Sequence, residues 1–207
     1  MSDVSEFPRI AVVPVRDGVL PAGADETVAE AGGVVLLAGS GTSEAAASLA
    51  VDAVSVATAE IGEPAFGGWA AALSPVLVPY YGVLLPASPD GRDLAPRLAA
   101  AMDRPLLAGA TEYRDGMIRL ARRGGLVIEQ VVADGPVVVT LQPGVRGIEP
   151  RHRDLPVPEP VTARVAARHD AIVLDVLPPD PGTMDLASPG GSWPAGRACA
   201  ARRTSAC

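Results

Sequence analysis

The 207-residue chain contains no lysine, and all 17 of its basic residues are arginine. That absence removes Schiff-base catalysis and the Walker-type phosphate loop, both of which need a lysine amine. Aromatic residues make up only 3% of the chain. Platforms for stacking bases are therefore scarce, and a core has to be assembled from Val, Leu, Ala and Ile. An excess of basic charge is lacking too, since the formal net charge is -7. Nucleic-acid affinity depends on basic side chains that release counterions from phosphates, so this balance argues against a polyanionic partner. The two histidines, His152 and His169, stand in polar, arginine-rich surroundings, and no G-x-S-x-G turn accompanies them. A serine hydrolase has no parts to build from. Cys199 and Cys207 have no acid or histidine beside them and read as unpaired thiols rather than metal ligands.

Long unbroken apolar runs are missing as well. The longest uncharged stretch, Pro64 to Pro89, contains Pro75, Pro79 and Gly67, Gly68 and Gly82, which break or weaken any spanning helix. It is expected to form a short helix at Ala65–Leu73, a connection, and a buried strand at Tyr81–Leu85. The start, Met1-Ser2-Asp3-Val4-Ser5-Glu6, is acidic where a secretory signal is basic, so a cytoplasmic protein is expected.

What is present is an ordinary globular mixture, 48% apolar and 20% charged, punctuated by 21 prolines and 22 glycines. Short apolar runs alternate with alanine-rich helical segments, the pattern of an α/β domain with a mostly parallel sheet. Strands are expected at Arg9–Val15, Val34–Ala38 and Ala53–Ala57, with helices at Asp25–Ala31 and at Ser43–Val51, capped by Ser43. The clearest helix is Asp93–Met102, capped by Asp93, with Pro96 in its first turn and Leu94, Leu98 and Met102 on one apolar stripe. Beyond it, Leu106–Tyr113, Met117–Ala121, Leu126–Val132 and Val137–Leu141 read as a C-terminal β meander. Residues 150–161 have a linker composition, and Thr162–Leu177 can add one more strand. The domain is expected to span residues 8–187.

Gly39-Ser40-Gly41-Thr42 lies between a strand and a helix, where helix N-terminal amides can bind a phosphate. Glu44 replaces the third glycine of the dinucleotide fingerprint. The turn is therefore either a weak cofactor-binding site formed by Gly39, Gly41 and Thr42, or simply a tight turn.

The most specific run is Ser-Pro-Asp-Gly-Arg-Asp-Leu-Ala-Pro-Arg-Leu-Ala-Ala at Ser88–Ala100. Its Gly91, Arg92, Asp93, Leu94, Ala95, Pro96 and Arg97 resemble a motif in the N-terminal domain of the electron transfer flavoprotein α subunit. Asp17-Gly18 after the first strand, the paired Gly124-Gly125, and Thr140-Leu141-Gln142-Pro143-Gly144 agree with it. Gln142 stands where that family usually has arginine, and Arg123 where an aromatic is common, so the chain resembles a divergent branch, most similar to the one associated with the redox peptide mycofactocin. The resemblance implies an adenine-nucleotide-hydrolase-like (Rossmann-like), three-layer fold. It also implies a heterodimer with a β subunit, electrons received from dehydrogenases, and FAD held mainly by a separate C-terminal domain that this chain lacks. The chain would be a non-catalytic electron carrier subunit, with Gly91, Arg92, Asp93, Pro96 and Arg97 at a possible subunit interface. The alternative is a small nucleotide-binding module of the stress-protein type, using the Gly39–Thr42 turn.

The end of the chain has a different composition. All 24 acids precede residue 188, whereas 188–207 hold three arginines, Trp193 and both cysteines. Back-translated one base out of frame, Gly191–Cys199 permits Ile-Val-Ala-Gly-Gly-x-Gly-Leu, similar to the glycine-rich start of the family's flavin domain. The expectation is a truncated α subunit, with a frame slip near Pro189 or Gly190 and an irregular tail over 188–207.

Overall fold

Valine, isoleucine and leucine runs form strands because branched side chains pack well on a pleated surface. A computed structural model of the chain describes residues 8–114, 116–166, 171 and 174. The strands β1 (Arg9–Val15), β2 (Val34–Gly39), β3 (Ser55–Glu60) and β4 (Gly82–Pro86) run parallel. They are joined by helices α1 (Ala24–Glu30), α2 (Thr42–Ala47) and α3 (Phe66–Leu77). Helix α4 (Pro89–Met102) then leads to β5 (Leu106–Arg114), β6 (Met117–Arg122), β7 (Val127–Val132) and β8 (Val137–Leu141). With the short β9 (Glu159–Pro160), these form one nine-stranded, mostly parallel sheet of order β7-β6-β5-β8-β4-β1-β2-β3-β9.

Side chains alternate across each strand and so feed two cores. Val13 and Val15 of β1 and Leu37 of β2 join Ala24 and Val28 of α1 and Ala45 of α2 on one face. Ile10, Val12, Leu36 and Leu85 pack on the other face against Trp69 and Leu73 of α3 and Leu94 and Leu98 of α4. Helices on both faces give the three-layer, Rossmann-like α/β architecture expected from the sequence. Burial on both faces also explains why β4 and β8 are apolar at successive positions rather than at every second one.

Several elements differ from the sequence-based expectation, each for a local reason. Helix α4 begins at Pro89 rather than Asp93, because the Ser88 hydroxyl accepts the Gly91 N–H at 3.1 Å and Pro89 fits the first turn. Asp93 is thus not the cap, and Pro96 lies inside the helix on its exposed side. Helix α3 continues through Pro75 to Leu77, and the Ser74 hydroxyl donates to the Ala71 carbonyl that Pro75 leaves without an amide. Helix α2 starts at Thr42 after a left-handed Gly41, has no side-chain cap from Ser43, and ends at Ala47. The third strand lies later than Ala53–Ala57, because the Val54 and Ser55 amides bond to the Gly33 carbonyl.

Two larger differences concern topology. β8 does not extend the meander; it inserts between β4 and β5, parallel to both, where a fully buried strand is required. Glu159–Pro160, in the segment that reads as a linker, pairs with β3 at the sheet edge, where a proline is tolerated. Of the further strand expected in 162–177, residues 162–166 carry no regular structure and most of the rest lies outside the described residues. The tail with Trp193, Cys199 and Cys207 also lies outside them.

The three antiparallel strands β5, β6 and β7 are bent by register shifts in β5 around Ala110 and by Gly109 at φ 78°. The bend lets Tyr113, Ile118 and Leu120 pack with Leu84, Val137 and Val139 in the α1-side core. The Tyr113 ring fits only because residue 82 is glycine: a Cβ there would lie 2.6 Å from Cε1. Among the described residues no helix is long and apolar enough to cross a membrane.

Candidate functional site

In a doubly wound sheet the strand order reverses at one point, and a crevice opens beyond the carboxyl ends of the strands there. Here β2 and β3 extend to one side of β1 while β4 and β8 extend to the other, so the crevice lies beyond β1 and β4. It is bridged by Arg16, which follows β1, and Asp90, in the first turn of α4. Arg16 Nε and Nη2 donate to the two carboxylate oxygens at 2.5 and 2.6 Å. That hydrogen bonding raises the Arg16 pKa, against a smaller lowering by burial.

The Gly39–Thr42 turn sits beside this crevice, and close packing dictates its glycines. A Cβ on Gly39 would lie 1.9 Å from the Val15 carbonyl oxygen, and one on Gly41 2.4 Å from the Gly18 amide nitrogen. The Ser40 hydroxyl accepts the Asp17 N–H at 2.9 Å, and the Ser40 carbonyl accepts the Gly18 N–H at 3.0 Å. Two βα turns are thereby laced together.

The amides at the start of α2 face a carboxylate from the protein itself. Gly41 N–H donates to Glu60 Oε1 at 2.9 Å, while the Thr42 N–H and hydroxyl donate to Oε2 at 3.0 and 2.8 Å. Burial pushes the Glu60 carboxyl up, but the three hydrogen bonds together outweigh it and hold the carboxyl below its usual range. Glu60, at the end of β3, therefore occupies the place a phosphate would take. An external anion at Gly39, Gly41 and Thr42 has to displace a well-bonded carboxylate first.

The Gly91–Arg97 run lies in the middle of α4, from its first turn onward. Gly91 is buried against β4, where a Cβ would lie 1.9 Å from the Pro86 carbonyl oxygen. Arg97 Nη1 donates to the Asp93 carbonyl at 2.7 Å, with the Asp93 side chain exposed. Arg92 and Pro96, four residues apart, share a neighbouring face. They line a concavity of about 500 Å³ with Ala108, Gly109, Thr140 and Gln142. Thr140 Oγ1 accepts the Gly109 N–H at 3.0 Å, and the Gln142 N–H bonds to the Ala110 carbonyl at 2.8 Å. The α4 motif and the Thr140–Gly144 segment, distant in sequence, thus meet in one recess beyond β4 and β8, where Arg92, Thr140 and Gln142 stand among apolar neighbours. Its guanidinium and carboxamide suit carboxylate or peptide-carbonyl partners.

Sequence reasoning missed Ser88, Arg16, Asp90 and Glu60. Ser88 had a signal, because serine followed directly by proline is a helix-start pattern. Asp90 fits the first turn of that same helix. Arg16 and Glu60 had none: their partners lie at sequence distances set only by the strand order.

The strand order, the two-faced helical cover and the laced turns at the carboxyl ends define a Rossmann-like three-layer α/β domain. Residues 24–167 match the electron transfer flavoprotein domain, and the chain belongs to that family. No curated protein matches the chain significantly. Proteins with this domain are electron carriers rather than enzymes, and the domain typically stands in a heterodimer with a partner subunit. The family implies FAD. The two places where this sheet would offer a nucleotide do not fit it, since Glu60 takes the α2 amides and the Arg16–Asp90 pair bridges the crevice.

Proposed function

We propose that the chain is the N-terminal domain of an electron transfer flavoprotein α subunit, of the branch associated with mycofactocin, and that it assembles with a β subunit. In that complex FAD is held outside the residues described above, and electrons pass from dehydrogenases through it. The protein then supplies orientation and assembly while the flavin supplies the redox chemistry. This domain's own part is non-catalytic and cytoplasmic.

One observation carries the reading: the α4 motif and the Thr140–Gly144 segment, the two runs most similar to the α subunit, converge on one solvent-facing recess. Arg92 is exposed and contributes nothing to the core, so its placement suits a contact with another surface. Gly91 seats the helix that presents it. The test is to co-express the full chain with an electron transfer flavoprotein β subunit from the same genome. A one-to-one complex is expected, weakened at least tenfold by Arg92→Ala with an unchanged melting temperature. If the chain and the β subunit elute separately, or Arg92→Ala binds as tightly as the native chain, the assignment of this recess fails.

A further inference from the structure

A second concavity, of about 800 Å³, opens between the end of α1, the β5–β6 strands and residues 145–147. Its charged lining is Arg9, Arg114, Arg119 and Arg146 against Glu30 and Glu112. Arg146 pairs with Glu30, which is tied down again by the Tyr113 N–H. Glu112 lies 3.2 Å from Arg119 and 3.9 Å from Arg114, so one carboxylate serves two guanidiniums. Arg9 donates to the Tyr113 carbonyl at 2.7 Å and lies over the Tyr113 ring, 5.4 Å from its centroid. It has no carboxylate partner among the described residues. Among the described residues, the recess therefore holds a surplus of two positive charges in a chain whose net charge is -7.

We propose that this recess binds a small multivalent anion bearing phosphate or carboxylate groups. Three features point to it. Planar guanidiniums match the oxygens of both groups and stay charged at every working pH. Arg9 is already immobilised by a carbonyl and a ring, so little ordering is left to be done on binding. The volume falls in the range of about 300–1,000 Å³ common to small-ligand sites. Size also selects against a macromolecule. Charges act over about 8 Å at physiological salt, so a small anion inside the recess feels the local surplus. An extended polyanion would lie against the acidic remainder of the surface and be repelled.

The site is separate from the recess beside Arg92 and does not depend on the subunit assignment. The test is isothermal titration of the full chain at low ionic strength with pyrophosphate and, in parallel, with citrate. Saturable binding of either is expected, and the tighter of the two tells phosphate from carboxylate as the recognised group. Arg9→Gln should weaken it at least tenfold, and Arg114→Gln, on an exposed side chain, should weaken it severalfold without disturbing the fold. Arg123→Gln, on the distant β6–β7 turn, should change nothing. No saturable binding of either anion overturns the proposal. So does equal weakening by Arg123→Gln, or tighter binding of polyglutamate than of both small anions.

Discussion

Gly91→Ala isolates the role of the α4 motif, because one methyl group meets one immovable atom. An added Cβ would lie 1.9 Å from the Pro86 carbonyl oxygen, whereas real Cβ contacts stay beyond 3.0 Å. The start of α4 must therefore move about 1 Å off β4, dragging the fully buried Leu94, Ala95 and Leu98 with it. Overpacking of this kind costs about 3 kcal/mol. Alanine's better helix propensity returns at most about 1 kcal/mol. The clash wins, leaving a net loss of about 2 kcal/mol, which in a domain of this size lowers Tm by roughly 4–8 °C. Thermal melts followed by circular dichroism read this directly. Gly135→Ala, whose Cβ would meet nothing within 4 Å, is the control and should stay within about 0.5 kcal/mol of the native chain. A Gly91→Ala protein that melts with the native one would refute the packing argument, and with it the claim that this glycine seats the motif.

Other substitutions probe the remaining contacts. Glu60→Gln should cost about 1 kcal/mol at neutral pH by loosening the cap on α2. Because the folded-state pKa of Glu60 is lowered, that contribution is present above the unfolded carboxyl pKa and is lost as pH falls through the folded one. Urea midpoints of variant and native chain should thus converge in acid. The Tyr113 hydroxyl is buried without a hydrogen-bond partner among the described residues, so Tyr113→Phe should be neutral or stabilising by about 1 kcal/mol in the same assay. Burial pushes that phenol up to about 12, above an unfolded value of about 10. The native chain should therefore lose stability as pH rises from about 10 towards 12, a component Tyr113→Phe lacks. Arg16→Gln breaks a half-exposed pair and should cost no more than about 1 kcal/mol, a difference that shrinks in 1 M salt.

Much of this protein is legible without coordinates, because local chemistry decides it. The apolar runs at Arg9–Val15 and Val34–Gly39 can be stable only as strands buried on both faces. The Leu94–Leu98 spacing places both side chains on the core side of α4. The Gly91–Arg97 motif marked both the family and the helix that lines the candidate recess. Errors arose where two local signals competed. Ser88 and Asp93 both qualify as caps, and the earlier one prevails because its hydroxyl takes the Gly91 N–H and Pro89 suits the first turn. Pro75 is a helix breaker by type, yet α3 runs through it to Leu77, and the Ser74 hydroxyl donates to the carbonyl that Pro75 leaves without an amide.

Pairings between distant segments were out of reach from the sequence, because no local pattern encodes them. Val137–Leu141 follows a meander and looks like its last strand, but it is buried at every position and inserts between β4 and β5. That insertion brings Thr140 and Gln142 to Arg92 and so creates the recess. Likewise Gly39-Ser40-Gly41-Thr42 has the form of an anion turn on its own. Only the parallel pairing of β2 with β3 sets Glu60 opposite its amides. The residue types and their spacing determined which elements could form and which family they resemble. The order of strands determined which side chains meet, since in a parallel sheet each turn's neighbours come from crossovers tens of residues away.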